Sequence, residues 1–313
     1  MRVAVLLLIA AALTSCATPA AQPPPTPPTA GSAAAAPSAG TARAPAGWTQ
    51  VWRDDFDGPA GSPPSTANWL HDTGTCYPGC PAKQWGTGEI ETMTDSTANV
   101  AMDGNGHLAI TPVREGDHWT SGRIETRRAD FQPPPGGALR VEAALRLPEV
   151  GADGAGYWPA FWMLGAALRD GYQGWPGIGE VDVMESVNGR PSVFAAMHCG
   201  SLPDGPCKEV GGGLGSPEHP SPPGFHTFAA ELDYSTSPQQ VRWYLDGVQF
   251  HTVTAAQVDA DTWQRATQHG FFLILNVAIG GQFPKAYGGE PGPTTVSGRP
   301  MLVDHVAVYT KAT

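Results

Sequence analysis

Within the seven residues Gly179-Glu-Val-Asp-Val-Met-Glu185, three carboxylates interrupt a stretch that otherwise reads as a buried β-strand. Val181, Val183 and Met184 fill the positions between them, so one face is acidic and the other suits a core. A buried carboxylate without a partner is costly, and three on one short strand are tolerated only where the charge is paired or used. Strict alternation puts Glu180 and Asp182 on one face and Glu185 on the other. A bulge that absorbs one residue near Val183 and Met184 returns Glu185 to the acidic face, where the two glutamates can approach each other across a groove.

The rest of the chain reads as strands. Residues 139–147 alternate, with Val141, Ala143, Leu145 and Leu147 on a core face and Arg140, Glu142 and Arg146 on the opposite one. Residues 241–245 and 248–253 flank Asp246-Gly247, a hairpin signal. Residues 271–279 are continuously apolar, as for a strand covered on both sides, and 301–309 supply a last strand. Only 255–264 suggests a helix, a short one. Many short strands separated by Gly and Pro imply an all-β fold, a sandwich of two antiparallel sheets. No phosphate-binding glycine loop, serine elbow or metalloprotease helix appears.

Of the 313 residues, the first 46 are not globular in character. Met1-Arg2 precedes an apolar run from Val3 to Leu13, too short to span a bilayer, and then Leu13-Thr-Ser-Cys16. That tetrapeptide resembles a bacterial lipobox, which implies a lipoprotein-type signal ending at Cys16, with Cys16 bearing the lipid and anchoring an exported protein to a membrane of the cell envelope. The rival expectation is an ordinary secreted chain clipped near the same point. Residues 17–46 are almost wholly Ala, Pro, Thr, Ser and Gly and read as a disordered tether; residues 47–313 are long enough for one sizeable core. The net charge of −11 and the lack of a basic run argue against a nucleic-acid partner. Four cysteines besides Cys16 point to disulfides in an oxidising compartment. Of the three pairings, the local one, Cys76 with Cys80 and Cys199 with Cys207, is expected, since each pair encloses a turn-rich loop; zinc ligation is the weaker reading.

Glu-Val-Asp-Val-Met-Glu resembles the signature of glycoside hydrolase family 16 in its longer, bulged form, that of laminarinase-like endo-β-1,3-glucanases. Other segments are similar to the family in order along the chain: Trp119-Thr-Ser-Gly-Arg-Ile124, Gly156-Tyr-Trp-Pro-Ala-Phe-Trp-Met-Leu-Gly165, Phe225-His-Thr-Phe228, Arg242-Trp-Tyr-Leu-Asp-Gly247 and Phe271-Phe-Leu-Ile-Leu-Asn-Val-Ala-Ile-Gly-Gly281. The resemblance implies a β-jelly roll whose concave sheet carries the cleft, and retaining hydrolysis of a neutral β-glucan by a monomer without a catalytic cofactor. It makes Glu180 the nucleophile, Glu185 the acid and then base, and Asp182 the residue between them that orients Glu180 and keeps the shared proton on Glu185.

The same resemblance implies substrate-binding roles for Trp158 and Trp162, which share a face of one strand, and for Arg123 at the donor edge. It places His198 on the neighbouring strand, near the acid/base or a sugar hydroxyl. Glu89 follows Trp85-Gly-Thr-Gly, where relatives often have Trp-Gly-Asn-Asn, so the outer donor subsites differ. Asp304 matches an aspartate that binds structural calcium in relatives, but one oxygen ligand does not make a calcium site. Two alternatives share the fold: a glucan-remodelling transglycosylase using the same residues, and a carbohydrate-binding protein without catalysis, a reading that the presence of both glutamates disfavours.

Overall fold

The computed structural model describes residues 44–80 and 82–313; Cys16 and the spacer as far as residue 43 lie outside the described residues. Two antiparallel sheets face each other across one core. The outer sheet has eight strands, in the order Val248–Thr254, Gln240–Leu245, Phe225–Asp233, Ala138–Arg146, Met301–Lys311, Leu108–Ile110 and Val100–Met102, with Thr49–Asp54 paired to Met301–Lys311. The inner sheet runs His219–Pro220, Ser192–His198, Glu180–Glu185, Tyr157–Gly165, Phe271–Ile279, Arg123–Thr126 and Trp69–His71. A third, three-stranded sheet contains the parallel pairing of Glu91–Met93 with His118–Ser121. The two large sheets form the β-jelly roll anticipated from the sequence.

The acidic strand sits near the middle of the inner sheet, between Tyr157–Gly165 and Ser192–His198. Its apolar residues Val181, Val183 and Met184 join a core shared with Val141, Ala143, Leu145, Phe228, Trp243 and Val306 of the outer sheet. Phe271–Ile279 is buried along its whole length, as its unbroken apolar pattern requires. The hairpin turns at Asp246 (φ +49°) and Gly247 (φ +77°), the paired positive angles of a tight type I′ loop.

Three expectations need correction. The helix begins at Ala260, not 255, because Asp259 caps it by accepting from the Thr262 N–H at 2.9 Å; Ala255–Gln257 forms only a 3-10 turn. A second short helix, Gln282–Ala286, follows the last inner strand in a segment with no helical periodicity. The charged face of Ala138–Arg146 is not solvated: Arg140 and Glu142 are each 8% exposed. Arg140 bonds Glu142 (2.8 Å) and Glu231 (3.0 Å), Arg242 bonds Glu231 and Asp233, and the Tyr309 hydroxyl donates to Glu142. Long side chains that neutralise one another cover this sheet with their own stems.

Candidate active site

The local geometry follows from one extra residue. Along the shared edge with Tyr157–Gly165, Trp162 pairs with Asp182 and its neighbour Phe161 with Met184, so Val183 is unmatched. On the other edge, Asp182 pairs with Ala196 and Glu185 with Phe194, three residues against two. This is the anticipated bulge, and it puts Glu180, Asp182 and Glu185 on the face away from the core. A bulge takes a carbonyl out of the ladder, and a buried carbonyl needs a partner. The indole N–H of Trp243, fully buried in the opposite sheet, donates to the Asp182 carbonyl at 2.8 Å.

Four side chains divide the labour among the acids. The Trp175 indole donates to Glu180 Oε2 at 3.0 Å, and the Trp158 indole donates to Glu185 Oε1 at 2.8 Å. His198 Nε2 lies 3.1 Å from Asp182 Oδ2 and 3.9 Å from Glu180 Oε1, while its Nδ1 is 2.6 Å from Glu209 Oε2. Burial disfavours charge on the imidazole, but the carboxylates of Asp182 and Glu209, one at each ring nitrogen, outweigh it and hold the pKa well above that of free histidine. These partners favour the protonated ring, and polar atoms of Glu180, Asp182 and His198 all lie within 4.8 Å of one another.

Burial and the charge of Asp182 push both glutamates upward. His198 and an indole N–H oppose the rise in both cases, Trp175 at Glu180 and Trp158 at Glu185. At Glu185 the charge of Glu180 adds to the upward push. A double displacement needs a negative charge on one glutamate and a proton on the other, and of the two only Glu180 has a ring nitrogen of His198 within 4 Å, at 3.9 Å.

The remaining expected residues frame the acids. Trp158 lies on the acidic face, its ring edge-on to Phe283 at 5.5 Å. Trp162, opposite Asp182, donates to Asn276 Oδ1 at 2.7 Å and stacks under Arg123, whose guanidinium carbon is 4.7 Å from its ring. Arg123 itself is buried, donating to Asp72 at 2.8 Å and to the Tyr77 hydroxyl, with Trp85 on another side. Its guanidinium is packed among Tyr77, Trp85 and Trp162 instead of reaching out from an edge. Glu89 is also buried and is held by the Thr87 N–H at 3.0 Å. Its Oε1 converges with the Trp158 ring and Thr87 on Gly281, where a Cβ would lie 2.9–3.3 Å from them and φ is +92°. His198 lies on the neighbouring strand as expected, with Nδ1 taken up by Glu209 and Nε2 turned toward Asp182 and Glu180 on the acidic face. Asp304 Oδ2 lies 2.7 Å from His305 Nδ1, and among the described residues Asp304 belongs to no cluster of three or more His, Cys, Asp or Glu side chains placed to share a metal.

Cys76 pairs with Cys80 and Cys199 with Cys207, the local connectivity. The second loop carries Glu209 to His198. Glu209 and Trp175, which contact His198 and Glu180, are residues that the sequence reading missed, because both sit in irregular loops where periodicity gives no orientation. The available signal was Glu209's position just past Cys207, the expected disulfide partner of the Cys199 that follows His198. A hollow of about 490 Å³ lined by Gly177, Ile178, Gly200, Ser201, Arg265 and His269 lies beyond the Glu180 end of the strand and contains none of the three acids.

Comparison with known proteins agrees with this geometry. Residues 138–207, which include the acidic strand, match the family described as the XgeA-like catalytic GH16 domain. A glucan endo-1,3-beta-glucosidase from Cryptopygus antarcticus is 33% identical over 270 residues, covering 80% of this chain and 86% of that protein. Among solved structures, the endo-1,3-beta-glucanase from Streptomyces sioyaensis superposes with a TM-score of 0.82 at 57% identity, over 86% of this chain and 98% of that one. The laminarinase catalytic domain from Thermotoga maritima gives 0.64 at 28% identity, over 85% and 99%. With a relative of this identity matched over most of its length, and the bulged acidic strand lying inside the matched domain, the chain belongs to glycoside hydrolase family 16.

Proposed function

We propose that the chain is a retaining endo-glycosidase that cleaves β-1,3-glucan chains of the laminarin type. The observation that carries the reading is geometric: one bulged strand brings Glu180, Asp182 and Glu185 to the same face, each glutamate accepts an indole N–H, and the His198 ring lies 3.9 Å from Glu180. In the first half-reaction a Glu180 oxygen bonds to the anomeric carbon while the bond to the glycosidic oxygen breaks and Glu185 gives that oxygen its proton. Glu180 is then an uncharged ester, and the repulsion that kept the proton on Glu185 falls. Glu185, now ionised, takes a proton from water as the water attacks the same carbon, and Glu180 leaves as carboxylate. The carboxylates carry both steps, and family 16 glucanases need no cofactor for them.

Trp158 and Trp162 offer aromatic faces to the flat C–H surfaces of the sugars. Arg123 and Glu89 support this wall from behind. The named activities of the relatives, endo-1,3-beta-glucanases among them, support the choice of glucan. Leu13-Thr-Ser-Cys16 supports lipid attachment at Cys16 and export to the cell envelope, with residues 17–46 as spacer; the proposed enzyme acts as a monomer. Among the described residues no helix is long and apolar enough to cross a membrane.

The test is incubation of the full chain with laminarin, lichenan and agarose, read as reducing ends and product size. Laminarin should yield short oligosaccharides, and Glu180→Gln and Glu185→Gln should each abolish this while keeping the wild-type melting curve. Release from agarose alone would overturn the substrate; products longer than the starting chains would indicate transfer instead of hydrolysis. Loss of fatty-acid labelling in Cys16→Ala tests the anchor, and labelling that persists would refute it.

A further inference from the structure

Glu209 stands outside the reaction, yet its carboxylate is fixed at both oxygens. Oε2 is 2.6 Å from His198 Nδ1, and Oε1 accepts from the Cys199 backbone N–H at 3.0 Å. The side chain is 1% exposed. A carboxylate is desolvated this thoroughly only where its partners repay the loss, and the loop is shaped to deliver it. Cys199 and Cys207 are both fully buried in the main core, and their disulfide closes the loop. Lys208 turns in the left-handed region (φ +59°) immediately before Glu209. On the far side, Gly213 leaves room for the ring, since a Cβ there would lie 2.9 Å from His198 Nδ1.

We propose that Glu209 is a positioning residue: through its bond to Nδ1 it fixes the His198 ring, so that a protonated Nε2 faces Asp182 and Glu180 and favours the ionised nucleophile. The proposal rests on the retaining mechanism above and extends it to a residue outside the acidic strand. The groups around His198 are Glu180 and Asp182, with Glu185 farther along the same strand; Glu209 from the disulfide loop; and the Trp175 ring at 5.8 Å from the loop before the strand. All the charged ones are acidic, so the imidazolium is the local counter-charge and Arg123 acts only at longer range. Without Glu209, Nδ1 has no carboxylate and the ring can lose its proton or turn. The nucleophile then meets Asp182 with no cation between them, and it ionises at higher pH.

The experiment is the pH dependence of kcat/KM on laminarin for the full chain and for Glu209→Gln, His198→Asn and the double variant, together with NMR titration of the His198 ring. Glu209→Gln should move the acidic limb upward by about one pH unit, lowering kcat/KM roughly tenfold on that limb while sparing the plateau. The His198 titration should move down. His198→Asn should shift the limb in the same direction, and adding Glu209→Gln to it should shift it no further. Cys199→Ser with Cys207→Ser, which frees the loop, should reproduce the Glu209→Gln profile. An unshifted limb and His198 titration in a folded Glu209→Gln protein would overturn the proposal, as would additive shifts in the double variant. If Glu209→Gln does not fold, a His198→Asn profile without a shift overturns it equally. A wild-type chain inactive on every glucan would instead refute the proposed function, a different failure from an active enzyme whose limb does not move.

Discussion

Replacing Trp175 by Phe isolates one hydrogen bond to Glu180, the proposed nucleophile. The ring survives, but the N–H that reaches Glu180 Oε2 at 3.0 Å is gone. A hydrogen bond to a charged group is worth about 1.5–3 kcal/mol when buried. Trp175 is 40% exposed, so water partly replaces the indole, and the loss falls to about 1–1.5 kcal/mol. One pH unit corresponds to about 1.4 kcal/mol. Because the lost donor stabilised the ionised form, Glu180 becomes harder to ionise, and the acidic limb of kcat/KM should rise by about one unit. One unit below the wild-type limb the rate should fall roughly tenfold, and on the plateau it should hardly change. Initial rates on laminarin between pH 4 and 9 measure this. A uniform fall at every pH would mean that Trp175 only contacts sugar, and the assignment of the anion to Glu180 would lose its main neutral support.

Two further substitutions probe the scaffold. Burial disfavours charge on Glu142, but His305, Arg140 and Tyr309 outweigh it and bring its pKa down from 4.5 to about 2. A depressed folded-state pKa gives stability that is present above 4.5 and lost as pH falls toward 2; Glu142→Gln should therefore cost roughly 3 kcal/mol at pH 7 and progressively less in acid. Urea midpoints at pH 7 and pH 3 test this, and an equal cost at both would sink it. Trp243→Phe strands the Asp182 carbonyl inside the core and should destabilise by about 1–3 kcal/mol. It should also lower kcat more than a distant core substitution of equal stability cost, since the bulge it braces aims Glu185; matched kcat values would show that the bulge holds without it.

The acidic strand was legible because a period of two, broken by one residue, has few solutions: the apolar residues Val181, Val183 and Met184 must all reach the core, and only a bulge allows that while keeping three acids together. Asp246-Gly247 was legible for a similar reason, because few residues tolerate two successive positive φ angles. The groups that tune the acids were not. Trp175 and Glu209 come from loops whose path is set by tertiary contacts and a disulfide, and Trp243 acts across the core from the opposite sheet. Alternation also misread the outer sheet, since a period of two shows which side chains share a face but not that Arg140, Glu142, Glu231 and Arg242 satisfy one another there. The resemblance to relatives located His198 but not its partners.

The roles of Glu180 and Glu185 are tested most directly by the anomeric configuration formed when Glu185→Ala turns over a β-laminaribioside with a dinitrophenyl leaving group in the presence of azide. That leaving group needs no proton, so Glu180 should still form its ester, and azide, which needs no base, should open it to the β-glycosyl azide. An α-glycosyl azide would mean direct displacement in a protein that had lost its nucleophile, and the two glutamates would have to exchange roles.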